Sequence, residues 1–243
     1  MCCKSIYPPQ KTATAMRERI IYEDNHYIAV NKHCGELVQP DPTGEPALVD
    51  ALKAYIAQRD AKPGRVFLEA AHRIDRPVSG VVLLAKTSKG LSRINELFRQ
   101  NRLTKTYWAV VQQMPPQPEG LLEHYLRRDT RKNRTVAADK PLADAKLAQL
   151  RYRLVGSTQR YHLLEVELIT GRHHQIRCQL AKIGCPIKGD LKYGAPRSNP
   201  GGGISLHSRS LSFEHPVAHT PVTIVAQPPA DDALWAEFCR MEM

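Results

Sequence analysis

Short apolar runs rich in β-branched and aromatic residues recur along this chain, a pattern that is typical of β-strands. Two of them, 147–155 and 161–169, alternate with polar positions as half-buried strands do. Glu23-Asp24-Asn25 supplies turn chemistry between the first two runs, so we expect a hairpin there. The strands that the pattern predicts are 20–22, 27–30, 81–85, 104–111, 121–126, 147–155, 161–169, 208–213 and 222–226.

Apolar residues at helical spacing mark fewer segments. One predicted helix covers 46–58, a second follows a cap at Thr87 or Ser88, and a third covers 175–183. A short amphipathic segment, 234–239, lies near the end of the sequence. Because strands outnumber helices and short links join most neighbouring strands, we expect an α+β protein with a mixed, largely antiparallel sheet and flanking helices.

The composition shows no linker and no internal repeat, so we expect one domain over 19–243, preceded by an irregular tail over 1–18. The formal net charge of +11 and the isoelectric point of 9.5 favour a polyanionic partner, because Lys and Arg displace counterions from phosphates. Charge by itself is explained equally well by solubility, so it does not identify RNA.

The cysteines and the apolar runs indicate in which cellular compartment the protein is expected. Six cysteines are scattered without a C-x-x-C pair, which disfavours a disulfide framework or a zinc site. No run of about 18 apolar residues occurs, and the N-terminus lacks an apolar core of the signal-peptide type. We therefore expect a cytoplasmic protein with reduced thiols and no membrane segment.

The run 72–86 holds the most informative chemistry. It places Asp75 between Arg73 and Arg76, turns through Pro77, and then enters an apolar strand. A carboxylate on a loop that leads into a buried strand can be held rigidly, and flanking cations favour its charged form. A carboxylate nucleophile needs both properties.

The same run closely resembles the signature of the RluA family of pseudouridine synthases. Three further blocks resemble that family in the expected order, namely 22–35, 105–110 and 170–194. The resemblance covers about 20–225 and implies the pseudouridine synthase fold with a central catalytic cleft. The chain departs from the family pattern at His33, where Pro is usual, at His173, where Thr is usual, and at Gln179, where His is usual.

The resemblance implies isomerisation of uridine to pseudouridine in tRNA or rRNA, without a cofactor or a metal. Asp75 is then the catalytic residue, and its attack on the anomeric carbon and its removal of a ribose proton stay open as alternatives. Tyr107 would lie against the uracil ring and exchange a ring proton. Arg177 matches the cation that pairs with this Asp in the family. The predicted helix fits that role, because Arg177 lies beside the inward-facing Ile176 and Leu180 at its edge.

The resemblance also implies contacts with RNA. The target uridine must leave its stack to reach Asp75, and Arg73 would fill the vacancy. Ile176 would pack against the ribose or the base, and His174 would hold the loop or touch a phosphate. A basic loop over 127–134 is a candidate clamp on the RNA backbone, with a solvated loop as the alternative. The predicted RNA contacts are His72, Arg73, His174, Ile176, Arg127, Arg128, Arg131, Lys132 and Arg134.

Two other functions stay open from the sequence: an RNA-binding or RNA-chaperone protein with vestigial catalysis, and an enzyme that acts on another base or nucleotide. A metal site at His173 and His174 is disfavoured, because no second cluster has ligand spacing. The tail 1–18 is too short for an N-terminal RNA-binding domain, so target choice would lie in the catalytic domain. A monomer is expected.

Overall fold

The computed structural model describes residue 14 and residues 16–242. Within this part of the chain, eleven strands form one sheet. The strands are β1 (Ile20–Glu23), β2 (Tyr27–Lys32), β3 (Glu69–Ala70), β4 (Ser79–Ala85), β5 (Leu103–Val111), β6 (Glu119–Asp129), β7 (Arg134–Ala138), β8 (Lys146–Ser157), β9 (His162–Leu168), β10 (Leu206–Glu214) and β11 (Pro221–Val225).

Helices pack against this sheet. As the sequence predicts, the second of them begins with a Thr87 cap, whose Oγ1 accepts the Gly90 N–H at 3.0 Å. No helix in the described part of the chain is long and apolar enough to cross a membrane. The helices are α1 (Leu48–Arg59), α2 (Ser88–Arg99), α3 (Gln175–Lys182) and α4 (Ala233–Glu242), with a 3₁₀ turn at Leu191–Tyr193.

The strand order is β1-β2-β4-β10-β5-β9-β8-β6-β7, with β3 on β4 and β11 on β10. Of these pairings only that of β4 with β10 is parallel, and it covers just two residue pairs. His207 lies opposite Ser79, and Ser208 lies opposite Gly80. We call these four residues the seam, because they join the β1-β2-β4 part of the sheet to the larger part that begins at β10.

The seam requires a glycine and is fixed by a buried hydrogen bond. Gly80 has φ +112°, and a Cβ there would lie 2.3 Å from the carbonyl oxygen of Ser208. The Ser79 hydroxyl donates to His207 Nδ1 at 2.8 Å, because His207 Nε2–H donates to the Ala226 carbonyl at 3.1 Å. The backbones of β4 and β10 therefore approach more closely than any other residue type would permit.

The main apolar core lies on one face of the sheet, under α1 and α3. Tyr107 of β5 and Val166 of β9 are buried in it, together with Ile176 of α3. Because side chains alternate along a strand, the neighbouring Trp108 points to the other face, where it packs against Trp235 of α4. The alternation of β5 thus places Tyr107 on the face that holds the site described below.

The predicted α+β class with a largely antiparallel sheet is confirmed. The predicted basic loop over 127–134 is wrong: β6 continues to Asp129 and β7 begins at Arg134, which leaves 130–133 as a hairpin turn. The ends of β6 and β7 next to this turn carry charged residues, so no hydrophobic alternation marks them as strand. Of the predicted irregular tail, residues 1–13 and 15 lie outside the described residues, whereas 16–18 are helical.

Candidate active site

Asp75 lies in the loop between β3 and β4, just before the seam. Its carbonyl accepts the Val78 N–H at 3.0 Å, which closes a tight turn through Arg76 and Pro77. The side chain of Asp75 is 28% exposed. The carboxylate can therefore be reached from solvent although its loop is anchored to the sheet.

A buried lysine holds this loop from inside the fold. Lys32, the last residue of β2, donates its ammonium protons to the carbonyls of His33, Arg76 and Val78 at 2.9, 3.1 and 2.7 Å. Burial lowers the pKa of Lys32 to about 8. Two of its three acceptors belong to the turn after Asp75, so Lys32 fixes that turn. The sequence analysis assigned no role to this residue.

Arg177 contacts Asp75 directly. Its Nη1 donates to Asp75 Oδ2 at 2.9 Å, and its side chain is only 5% exposed. The two residues are 102 positions apart in sequence, and α3 brings the guanidinium under the loop. The structure therefore brings together the predicted carboxylate and the predicted cation.

A second carboxylate, which the sequence analysis missed, fixes this guanidinium. Asp190 accepts from Arg177 Nε at 2.7 Å and from Nη2 at 2.9 Å, and Asp190 is 1% exposed. This bidentate pair uses two of the three guanidinium nitrogens and leaves Nη1 for Asp75. The only sequence signal for Asp190 was its place in the block 170–194 that resembles the RluA family.

His174 lies near the same oxygen of Asp75 and is uncharged. Burial, with Arg177 nearby, lowers the pKa of His174 to about 2. Tyr193 Oη accepts the Thr135 N–H at 2.8 Å, so its own proton is directed to His174 Nδ1 at 2.9 Å. The neutral ring then carries its proton on Nε2, which lies 3.5 Å from Asp75 Oδ2. His174 thus positions the loop rather than supplying a charge.

His173, which stands where the family has Thr, stacks on His174 with ring centroids 3.8 Å apart. The Thr135 hydroxyl donates to the His173 carbonyl at 2.9 Å, so it accepts from His173 Nδ1–H at 2.8 Å. Within the described residues, no group of three or more His, Cys, Asp or Glu side chains is arranged to hold a metal ion. The departure at His173 therefore adds a stacked ring tied to β7.

Gln179, the departure on α3, is fully buried. Its Nε2 donates toward the Leu122 and Ala148 carbonyls, each at 3.2 Å, and lies 3.0 Å from His124 Nδ1. This side chain ties α3 to β6 and β8 and does not face Asp75.

Tyr107 lies on the same face as Asp75 and is buried. Burial raises the pKa of Tyr107 to about 12, and the negative charge of Asp75 acts in the same direction. Ile176 and Ile74 are buried in the same apolar cluster as Tyr107. The predicted aromatic residue therefore lies within range of the charge of Asp75, and the predicted apolar residue shares its cluster.

The basic neighbours of Asp75 in sequence behave differently from the expectation. Arg76 was expected to flank the carboxylate, but its guanidinium binds Glu45 at 2.6 Å and the Gly35 carbonyl at 2.9 Å. Arg73 is exposed and has no hydrogen bond or ion pair to any described residue. Of these two arginines, only Arg73 therefore has no partner among the described residues.

His72 was predicted to contact RNA, and the structure gives it another contact. Its Nε2 accepts the Leu83 N–H at 3.1 Å, and its ring lies 5.4 Å from that of Phe98. Burial lowers the pKa of His72 to about 4, so it offers no cation to a phosphate at neutral pH. This histidine ties the Asp75 loop to β4.

The basic residues of the predicted clamp do not form one surface. Arg128 pairs with Thr135, and directly opposed residues share a face, so Arg128 lies on the face where the Thr135 side chain contacts His173. Arg127 pairs with Val136 and points to the opposite face. Arg127 and Arg128 therefore lie on opposite faces of the hairpin, and the clamp on the RNA backbone stays a prediction.

Other residues of the hairpin approach the site. The Arg134 guanidinium lies 5.1 Å from the centre of the Tyr193 ring, and Lys192 donates to the Asn133 carbonyl at 3.0 Å. All the basic side chains of the predicted clamp are exposed. Among the described residues, no ion pair is formed by Arg127, Arg128, Arg131, Lys132 or Arg134.

Comparison with known proteins places this geometry in a class. The family model of RNA pseudouridylate synthases matches residues 26–182. An uncharacterized RNA pseudouridine synthase of Bacillus subtilis (strain 168), YlyB, is 33% identical over 225 residues, which are 91% of this chain and 72% of that protein. The tRNA pseudouridine synthase C of Pectobacterium carotovorum is 30% identical over 253 residues, which are 93% of this chain and 65% of that protein.

A solved structure shows the same fold. Human RNA Pseudouridylate Synthase Domain Containing 4 superposes with a TM-score of 0.77 at 24% identity, over 95% of this chain and 97% of that chain. Together these matches identify an isomerase that acts on RNA. The chain belongs to the RNA pseudouridylate synthase family, which confirms the resemblance to its RluA type.

Proposed function

We propose that this chain converts specific uridines of tRNA or rRNA to pseudouridine, with Asp75 as the catalytic residue. The contact between Arg177 and Asp75 supports this proposal most directly. It gives a solvent-accessible carboxylate a fixed position, because the contacting guanidinium is itself held by buried Asp190. A carboxylate that needs no reorganisation is suited to covalent or acid–base work on a bound ribose.

The reaction is a balanced isomerisation. The bond from ribose C1′ to uracil N1 breaks, the ring turns, and a bond from C1′ to C5 forms, while a proton leaves C5 and N1 ends with a proton. Asp75 Oδ2 accepts from Arg177, whereas Oδ1 accepts no hydrogen bond from any described residue. Oδ1 is therefore the oxygen available to attack C1′ or to remove the neighbouring ribose proton.

Tyr107 is proposed to hold the uracil ring. Its pKa of about 12 means that the phenol carries its proton at neutral pH. Tyr107 therefore contributes a flat contact and a hydrogen-bond donor, and it could take the C5 proton only by passing on its own. Ile176 supplies the apolar contact on the same face.

Access to Asp75 requires that the uridine leave its stack, at a cost of a few kcal/mol. Arg73 is proposed to occupy the vacated position, because it is exposed and unpaired with any described residue on the Asp75 loop. Arg128 and Arg134 are proposed to hold the backbone beside the site, and Arg131 and Lys132 at the turn extend this surface.

The test is pseudouridine mapping in RNA from cells with the gene, without it, and with Asp75→Asn. We expect at least one pseudouridine to vanish on deletion and to return with the parent gene but not with Asp75→Asn. Asp144→Asn is the matched control, because Asp144 is exposed with φ +60°, which Asn tolerates. Full modification by Asp75→Asn would exclude Asp75 as the catalytic residue.

The same experiment separates the alternatives. An RNA chaperone with vestigial catalysis predicts unchanged pseudouridine maps together with RNA binding by the purified protein. An enzyme for another base predicts unchanged pseudouridine but a different altered nucleoside in the digested RNA.

A further inference from the structure

Lys105 is a half-buried cation that the proposed mechanism does not use. It precedes Tyr107 by two positions on β5, so both side chains lie on the same face of the strand. Its side chain has no hydrogen bond and no ion pair with any described residue. Burial lowers the pKa of Lys105, and no carboxylate opposes that effect.

Two segments that flank Asp75 also enclose Lys105. A Cβ on Gly171 would lie 3.8 Å from Lys105 Nζ, and Gly171 belongs to the loop that leads into His174. His72, at the start of the Asp75 loop, is close enough for the charge of Lys105 to act on its ring. Lys105 therefore lies between His72 and Gly171, the residues at which the segments 72–75 and 171–174 begin.

The absence of a side chain at Gly171 leaves Nζ uncovered on the exposed side of the loop. An unpaired ammonium that is partly desolvated is unfavourable in the free protein, and an anionic ligand would relieve that cost. The partner of this cleft is a chain of phosphodiesters if the proposed function holds, and a phosphate oxygen is a good acceptor for an ammonium.

We infer that Lys105 binds a phosphodiester of the RNA beside the loop that holds Gly171, and so helps to hold the strand that carries the target uridine. This inference rests on the proposed function for the identity of the anion. Lys105 is a binding residue here, distinct from Arg128 and Arg134, which lie on the hairpin side of the site.

The experiment compares Lys105→Met, which keeps the length of the side chain, with Lys105→Arg, which keeps the charge. Total tRNA and rRNA from a strain that lacks the gene are the probe for binding and for turnover. We expect Lys105→Met to raise Kd and KM about tenfold and to reduce the slope of log Kd against log salt by about one. Its kcat stays within about twofold, because the contact is made equally before and during the reaction.

Lys105→Arg is expected to keep the salt slope of the parent. The unfolding temperature of Lys105→Met is expected to equal or exceed that of the parent, because an unpaired buried charge has been removed. Gly171→Val, which covers Nζ without removing the charge, is expected to raise KM in the same direction. Lys89→Met is the matched control, since Lys89 is exposed at the N-terminus of α2, beside the end of β4 farthest from the seam.

An unchanged Kd and salt slope in Lys105→Met would overturn the inference, as would a lower unfolding temperature with unchanged KM, which would mark a structural lysine. A loss of kcat at unchanged KM would also overturn it. If the parent forms no pseudouridine at all, the proposed function fails, whereas the binding comparison still decides whether Lys105 contacts RNA.

Discussion

The centre around Asp75 and the β6–β7 hairpin are adjacent, but they use charge in opposite ways. In the centre, Arg177 contacts two carboxylates, and buried Lys32 has three carbonyl acceptors. In the hairpin, the basic side chains at the turn are exposed and form no ion pair with described residues. The paired charges of the centre fix the position of Asp75, whereas the unpaired charges of the hairpin remain available to a polyanion.

This difference teaches where substitutions should act. A buried pair resists removal of one partner, because the other is left desolvated. An exposed arginine on a strand contributes little to folding and much more to binding a phosphate backbone. Changes in the centre should therefore alter turnover and stability, and changes in the hairpin should alter the salt dependence of RNA binding.

The largest effect is expected from Asp190→Asn. The amide keeps one accepting oxygen and places an N–H donor against the guanidinium in place of the other, so Arg177 loses its bidentate partner. We expect the centre to be destabilised by about 3 kcal/mol. The displaced guanidinium should lower kcat by about 100-fold, whereas the salt slope of RNA binding should not change. Steady-state kinetics and thermal unfolding measure both quantities.

Asp129→Asn is the matched control in the hairpin. Asp129 accepts only the Lys132 N–H at 3.1 Å, so this change should cost less than about 1 kcal/mol and leave kcat intact. Equal losses of kcat and of stability in Asp190→Asn and Asp129→Asn would contradict the proposed difference between the two regions.

The second largest effect is expected on folding stability at low pH. Burial lowers the pKa of His207, at the seam, to about 4 from 6.5. The unfolded chain therefore binds more protons between pH 4 and 6.5, so stability is complete above pH 6.5 and is lost as the pH falls toward 4. For this fully buried group the loss amounts to about 3 kcal/mol, which thermal unfolding across this pH range should show.

His207→Gln should flatten that pH dependence, and His72→Gln offers a second test, because the pKa of His72 is also lowered to about 4. His219→Gln is the control, since its ring is 73% exposed. A stability profile that stays flat in the parent would contradict the prediction.

The smallest effect is expected on RNA binding, in a comparison of the adjacent residues Arg127 and Arg128. Arg128→Ala should weaken RNA binding and reduce the slope of log Kd against log salt by about one, because Arg128 shares the face of Thr135. Arg127→Ala should change neither, because Arg127 points to the opposite face. Both variants should unfold at the temperature of the parent, and equal slopes would show that the face of the hairpin does not matter.

Sequence patterns could predict the parts of this site that are local. Alternation and helical spacing located most strands and helices, and motif runs identified Asp75, Tyr107 and Arg177. They could not show that Asp190 is buried against Arg177, because a loop carboxylate has no periodicity that reports its burial. Nor could they show that Arg76 turns away to Glu45, which is a tertiary contact.

The prediction of a loop over 127–134 was wrong for a related reason. Between residues 127 and 134 the charges occupy both faces of two strand ends, so composition indicated a loop. Only the register of β6 with β7 shows which face of the hairpin Arg127 and Arg128 each occupy. Register is set by pairing across the sheet rather than by either strand alone.

The seam has a consequence for the order of events during synthesis. Ser79 and His207 are 128 positions apart, and contacts of such separation form late because the intervening chain must first be confined. A nascent chain that has left the ribosome only as far as Arg177 contains Asp75 but lacks both Asp190 and β10. Such an intermediate lacks the Asp190 partner of Arg177 and the seam, so we expect the nascent chain to become active only after β10 has emerged and joined β4.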